Sequence, residues 1–298
     1  MNDTVATKPQ FDRTVEDLGN IVELGHVNVT VPDQSKAVAF YIMGLGLTRD
    51  PYLMAGLENM WVNVGRGQFH LPTRSPAQVV RGTTGLVVPD LEALLRRLEN
   101  AKKYLEGTQF SFRESDDAVE TTCPWGNRIR CHGPNPEKFG ALRVGMPYVE
   151  FDIPRGTDLS AIVRFYREMV GGIAGVATDE RGPYAWVSTS ADSKITFRET
   201  DAKLPEFDGH HIQITLADFS GPYKKLLERG LISEESDQHQ YRFLDIVDVD
   251  TNKPLFRIEH ETRSMRHPMF NRAFVNRNPE INPRNFVPGH EVGIWALA

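Results

Sequence analysis

Hydrophobic and polar positions alternate most cleanly over 24–31, where Val27, Val29 and Val31 interleave with His26, Asn28 and Thr30. A period of two predicts a strand with the valines on one face and the polar residues on the other. Pro32 ends it, Asp33 or Ser35 can cap the next segment, and Ala37, Val38, Phe40 and Tyr41 then fall at helical spacing until Gly44 and Gly46. The pattern predicts a strand-to-helix unit with one histidine directed away from the valine face.

The same pattern returns three times, and this decides the reading of everything downstream. Residues 83–90 repeat the strand and its Pro-Asp ending, followed by Leu91, Leu94, Leu95 and Leu98 at helical spacing. Residues 147–154 lead into Leu159, Ile162, Val163, Phe165 and Tyr166, and residues 210–218 lead into Tyr223, Leu226 and Leu227. His26 and His211 each stand seven residues before an aspartate, with Thr83 and Tyr148 at the matching places in the other copies. Short β-like runs trail each helix, for example 60–64 and 68–71 in the first copy and 243–247 and 255–260 in the fourth.

Strand, helix and two or three strands, four times over, predict an α+β protein with mixed sheets. One unit exposes too much apolar sheet to stand alone, so consecutive pairs are expected to share a core. This gives a polar N-terminal segment at 1–20, domains at 21–140 and 141–262, and an arm at 263–298. Gly133-Pro-Asn-Pro136 marks the linker region. The arm is rich in Arg, Asn and Pro, which favours an extended segment, while Phe270, Phe274, Phe286 and Trp295 supply apolar anchors against the body or a second subunit.

Composition narrows the partners. Apolar content of 40%, charged content of 25% and a net charge of −6 describe an ordinary soluble chain with ample core. Lys and Arg are dispersed with no basic stripe, which argues against nucleic acid. No secretory-type leader or membrane-length apolar run is present, so the expected location is cytoplasmic. Cys123 and Cys131 are read as reduced thiols. No nucleophile elbow or phosphate-cradling loop occurs, and Gly44, Gly46, Gly171 and Gly172 stand where helices end.

With these motifs in place the chain resembles the vicinal oxygen chelate superfamily, which includes glyoxalase I, bleomycin-resistance proteins and extradiol dioxygenases. The matching stretches are Gly-His26-Val-Asn-Val-Thr-Val-Pro-Asp, Phe40-Tyr41-x-x-Gly44-Leu-Gly46-Leu and Trp125-Gly-Asn127-Arg-Ile. The resemblance implies four tandem βαβββ units forming two domains with cupped mixed sheets. It also implies divalent-metal ligands drawn from first and last strands, with Fe(II), Mn(II), Zn(II) or Ni(II) as the ion. Imidazole and carboxylate donors suit such ions, and open coordination positions would let a metal chelate adjacent substrate oxygens.

The C-terminal half carries the stronger set. His211 matches the first-strand ligand and Glu259 the last-strand glutamate, with Glu150 or Glu199 as a further carboxylate, ligand or base. Tyr148 stands where a dioxygenase would need histidine, and is expected to orient substrate. In the N-terminal half His26 and His70 are secondary metal candidates. Their partner unit offers Thr83 and Arg130, and a fixed cation there opposes a metal; this half reads as a scaffold or an anion-binding pocket, with His132 beside Arg130. Asn28, Gln213 and Arg130 are candidate substrate contacts. His210 and His260 are placed on the opposite strand face. Taken singly, His211 is equally a hydrogen-bonded strand residue and Glu259 a surface partner of Arg257 or Arg263.

Two functions compete. One is a metal-dependent glyoxalase- or dioxygenase-like enzyme acting on a small oxygen-bearing substrate, with aromatic substrates included, in the C-terminal cup. The other is a metal-free binding protein of the bleomycin-resistance type that sequesters a small molecule in the same cavities. A homodimer is the expected assembly, without nucleic-acid or membrane partners.

Overall fold

The structure is a computed structural model that describes residues 11–53, 58–115, 117–277 and 284. The fourfold period is realised as four strands per unit. Unit 1 holds β1 (Ile21–Asn28), β2 (Thr48–Arg49), β3 (Asn59–Val64) and β4 (Gly67–Pro72). Unit 2 holds β5 (Gly82–Val87), β6 (Ser111–Ser115), β7 (Ala118–Thr122) and β8 (Arg128–His132). Unit 3 holds β9 (Gly145–Pro154), β10 (Ala174–Asp179), β11 (Gly182–Ser188) and β12 (Lys194–Thr200). Unit 4 holds β13 (His211–Leu216), β14 (Ile232–Asp237), β15 (Gln240–Val247) and β16 (Pro254–Ser264).

A helix follows the first strand of every unit, and an aspartate opens each one. Asp33 accepts the Lys36 N–H at 3.1 Å, Asp90 that of Ala93 at 2.9 Å, and Asp218 that of Gly221 at 3.0 Å. Asp158 accepts from both Ser160 and Ala161. Each such cap contributes about 1 kcal/mol and fixes where the chain turns from sheet to helix. The helices of units 1 and 3 finish in π-helical stretches, Val38–Gly44 and Tyr166–Val170. Asn127 of the Gly-Asn motif is a turn anchor: its Oδ1 accepts the Val80 N–H and its Nδ2 donates to Gln78 O.

The strands assemble into two eight-stranded sheets, and here one expectation is corrected. The first sheet runs β14-β15-β16-β13-β1-β4-β3-β2 and joins unit 4 to unit 1; the second runs β10-β11-β12-β9-β5-β8-β7-β6 and joins unit 3 to unit 2. Consecutive units therefore do not share a sheet, and the ranges 21–140 and 141–262 each contribute to both. The first strand of every unit has an apolar face and a free edge, and the periodicity is silent on which other edge it meets. The seams are antiparallel, β1 with β13 and β5 with β9.

Period-two alternation places Val27, Phe69, Ile212, Ile214, Phe243 and Ile258 on the core face of the first sheet, all buried. The two sheets share one core: Phe256 of β16 packs against Phe151 and Phe197 of the second sheet. His260 lies on this apolar face, as expected, stacked on Phe243 at 4.2 Å. Its Nδ1–H donates to Ile258 O, so its Nε2 accepts from the Tyr166 hydroxyl at 2.7 Å. Burial pushes its pKa down to about 3.

The unfolded chain therefore takes up this proton near 6.5, while the folded chain resists until about 3. Stability is fully present above the unfolded value and declines as pH falls, by roughly 1 kcal/mol per pH unit for such a histidine. Urea unfolding at pH 7 and pH 5 should show that decline, and His260→Gln should flatten the slope even though it lowers stability at pH 7.

The described part of the arm returns across the first sheet. Arg272 pairs with the fully buried Asp50, Asn276 makes two hydrogen bonds to the Gly65 backbone, and Asn63 Nδ2 donates to Val275 O at 3.0 Å. Phe286 and Trp295 lie outside the described residues. Among the described residues no helix is long and apolar enough to cross a membrane, and Cys123 and Cys131 are free thiols.

Candidate metal centre

The seam between units 1 and 4 builds a polar face from registered pairs. Across β1 and β13, His26 faces Gln213 and Asn28 faces His211. β4 places Gln68 and His70 beside His26 and Asn28, and β16 places Glu259 and Glu261 beside His211 and Gln213. Registered partners project to the same side of a sheet. All eight residues thus line one cup, opposite the apolar face.

Three of them converge. Ligand atoms of His26, His211 and Glu261 lie within 4.8 Å of one another, and all three residues are buried. Glu261 Oε2 is 3.4 Å from His211 Nε2, and Glu261 Oε1 is 4.0 Å from His26 Nε2. Neither imidazole Nε2 has a hydrogen-bond partner among the described residues. An imidazole lone pair facing a carboxylate oxygen is unfavourable unless a proton or cation lies between them.

His70 stands at the edge of this group, its ring 5.7 Å from that of His26. Its Nε2 is 2.6 Å from Asn59 Oδ1 and its ring stacks on Trp61 at 3.8 Å. The amide oxygen accepts the Nε2 proton, which leaves Nδ1 with the lone pair. Burial lowers the pKa of His26 well below the usual histidine value and that of His70 to about 3. Both rings are therefore neutral at pH 7, the form that ligates.

The carboxylate is already supported by cations. Burial alone would raise the Glu261 pKa, but the His26 and His211 rings, which favour the ionised carboxylate when they carry a proton, and the Arg263 guanidinium hold it well below the usual carboxylate range. Arg263 Nη2 lies 2.6 Å from Oε1 and Arg242 Nη2 lies 2.7 Å from Oε2. Two imidazoles and an ionised carboxylate fit a divalent first-row ion, provided the guanidiniums yield part of the carboxylate.

The expected residues divide between two cups. His211 and Glu259 do meet, with Nδ1 to Oε1 at 3.3 Å, but Glu259 also pairs with Arg242, and the carboxylate that completes the cluster is Glu261. His26, expected as a secondary candidate, is central. Gln213 and Asn28 share the cup, and the Asn28 Oδ1 is buried without a partner. Glu150, Tyr148, Glu199 and Arg130 belong to the second sheet and are not brought to His211. Glu150 is clamped by Arg181 and Arg198, Tyr148 bonds His132 Nε2 at 2.9 Å, and Glu199 accepts the Gly156 N–H. Assigning Glu150 to the His211 site fails because the third unit pairs with the second, not the fourth.

Glu261 was within reach of the sequence pattern. Arg257, Glu259, Glu261 and Arg263 alternate with Ile258, His260 and Thr262, so all four charged residues share a face. What selects Glu261 is register: it occupies in unit 4 the position that His70 occupies in unit 1. The stretch from His211 to Glu261 is six residues longer than that from His26 to His70, which hides the correspondence.

The arm covers this cup. Met269, Phe270 and Phe274 lie over His26, Gln68, Gln213 and Arg263, leaving a cavity of about 10 Å³, at the limit for one water molecule.

No family model and no curated protein sequence matches the chain. Solved structures do. Glyoxalase I from Zea mays superposes with a TM-score of 0.57 at 13% identity, covering 83% of this chain and 93% of that one. A mutant of the same enzyme gives 0.55 at 12% identity, over 85% and 96%. A protein from Bacillus subtilis subsp. subtilis strain 168 gives 0.52 at 14% identity, over 82% and 86%. Two sheets of paired βαβββ units, cupped around polar seams, give this chain the fold of the vicinal oxygen chelate superfamily.

Proposed function

We propose that the protein is a divalent-metal-dependent enzyme whose centre is the seam of the first sheet, acting on a small oxygen-bearing molecule. The convergence of His26, His211 and Glu261 with unpartnered imidazole nitrogens carries this reading. His70 borders the set, its ring 5.7 Å from that of His26. A bound metal would act as a Lewis acid on substrate oxygens as negative charge develops.

The chain's own residues supply orientation. Glu259, 3.3 Å from His211 Nδ1, is placed to hold that nitrogen's proton and keep the Nε2 lone pair aimed at Glu261; carboxylates commonly fix ligand imidazoles in this way. Asn59 does the same for His70. Asn28 presents an unused amide oxygen to the cup, suited to a substrate hydroxyl. Gln213 is held by its donation to Thr215, which in turn bonds Glu23. The arm's aromatic residues exclude water from the cup.

Arg242 and Arg263 on Glu261 favour a second reading, a metal-free binding protein in which the guanidiniums do the cation's work. Elemental analysis after exposure to Fe(II), Mn(II), Zn(II) or Ni(II) separates the two. The enzyme reading expects about one equivalent per chain, lost in His26→Ala. Retention of no metal by the unaltered protein would establish the binding-protein reading instead.

Substrate must pass the arm. Arg272→Ala removes a charge-assisted contact to buried Asp50, typically about 1.5–3 kcal/mol, so arm opening should become about tenfold to a hundredfold more frequent. The rate at which a chelator strips the loaded protein should rise accordingly, and an unchanged rate would mean that the arm does not gate the site.

A further inference from the structure

The second sheet repeats the cup with every ligand position changed. Register equates His26 with Thr83, His211 with Tyr148, His70 with Arg130 and Glu261 with Thr196. None of the four replacements is a customary divalent-metal ligand. Yet this cup is open where the first is filled: a cavity of about 620 Å³ reaches from Arg130 and Tyr148 to Trp186 and Lys194, within the range of small-molecule sites.

Its floor is constructed in detail. Tyr148 lies flat over Gly85, where even a methyl group would come within 2.4 Å of the phenol ring, and its hydroxyl is fixed by His132. Glu150 is neutralised from both sides by Arg181 and Arg198, and Asp179, which also lines the cavity, pairs with Arg198. In the row across the sheet Lys194 registers with Tyr148, Tyr148 with Gly85 and Gly85 with Arg130, so two cations flank the phenol. Lys194 has no carboxylate partner among the described residues. Arg130 pairs with Asp117 through Nη2 at 3.0 Å and lies 4.0 Å from Glu120 through Nη1, while its Nε has no hydrogen-bond partner among the described residues. In the next row Thr196 registers with Trp186, and both residues line the cavity. An ammonium without a carboxylate partner among the described residues, beside two aromatic side chains in a formed cavity, suits an anionic ligand with an apolar body.

We propose that the second cup is a metal-independent binding site for a small organic anion with a flat apolar body, its acidic group held between Arg130 and Lys194 over Tyr148 and its ring against Trp186. Guanidinium and ammonium donors recognise the acidic group, and the aromatic wall recognises the body. The site is separate from the metal centre and stands whether or not a metal binds there.

Isothermal titration of the metal-free full chain with 2-naphthoate tests this, with neutral 2-naphthylmethanol as the comparison. One equivalent of naphthoate should bind, at least about tenfold more tightly than the alcohol, as expected for a charge-assisted contact. Arg130→Met and Lys194→Met should each weaken it by a similar factor, and the His26→Ala variant should bind as the unaltered protein does. Lys194 is exposed, so its variant keeps the test open if Arg130→Met fails to fold. Absence of saturable binding, equal affinity for the alcohol, indifference to Lys194→Met, or loss in His26→Ala would each overturn the proposal.

Discussion

Replacing Glu261 by Gln should nearly abolish metal retention at the first-sheet seam. The change removes the one ionised ligand of the His26, His211 and Glu261 group and keeps its shape. Glu259→Gln offers the calibrating comparison, because Glu259 touches His211 at Nδ1, away from the convergence point. An outer carboxylate of this kind is worth roughly 10–100-fold in metal affinity, and the Glu261 variant should lose more. Competition titrations against a chromophoric chelator give both numbers. Equal losses would mean that the two carboxylates share the role, and a larger loss in the Glu259 variant would reverse the assignment.

The same substitution should destabilise the metal-free protein, through different physics. Glu261 and Arg263 are both almost entirely buried and lie 2.6 Å apart, with Arg242 on the other carboxylate oxygen. Removing one partner of a buried pair leaves an uncompensated charge, at a cost of about 3–5 kcal/mol. Urea unfolding without metal should show a loss of that size for Glu261→Gln. The double variant Glu261→Gln with Arg263→Met should recover much of it, because the buried Arg263 guanidinium is gone and Arg242 keeps Glu259. A double variant no better than the single one would show that the loss comes from packing and not from the unpaired guanidinium.

How far the sequence reached depends on which physical signal each feature leaves in it. Period-two runs, the recurring aspartates and the helical leucines exposed the βαβββ unit and its fourfold recurrence, because these are local. Partnering of the units was not legible. The strand at 21–28 carries the same alternation whether its edge meets β13 or β5, and only tertiary contacts such as Asn20 bonding the carbonyls of Val170 and Asp218 decide between them. That single choice moved Glu150 and Tyr148 out of the site and brought His26 in. Likewise the alternation over 257–263 showed that Glu259 and Glu261 share a face, while the choice between them rests on register. The misfit of Thr83 and Arg130 with metal chemistry was visible in the residue types alone. What could not be seen was that their partner is the Tyr148 unit, so that the misfits gather in one open cup.

The arm illustrates a third case. Its composition suggested an extended segment with aromatic anchors, and of these Phe270 and Phe274 lie over the cup. Where it docks is specified by Arg272 meeting a carboxylate, Asp50, more than two hundred residues away, a match that no local pattern carries.

The chemistry proposed for the first cup requires a cation lying between the two imidazoles and the carboxylate. Anomalous diffraction from crystals grown with Zn(II) tests this directly, with data collected on both sides of the zinc edge. One peak per chain is expected within coordination distance, about 2.0–2.2 Å, of His26, His211 and Glu261. No peak there, or a peak elsewhere in the chain with Arg242 and Arg263 still on Glu261, would contradict it.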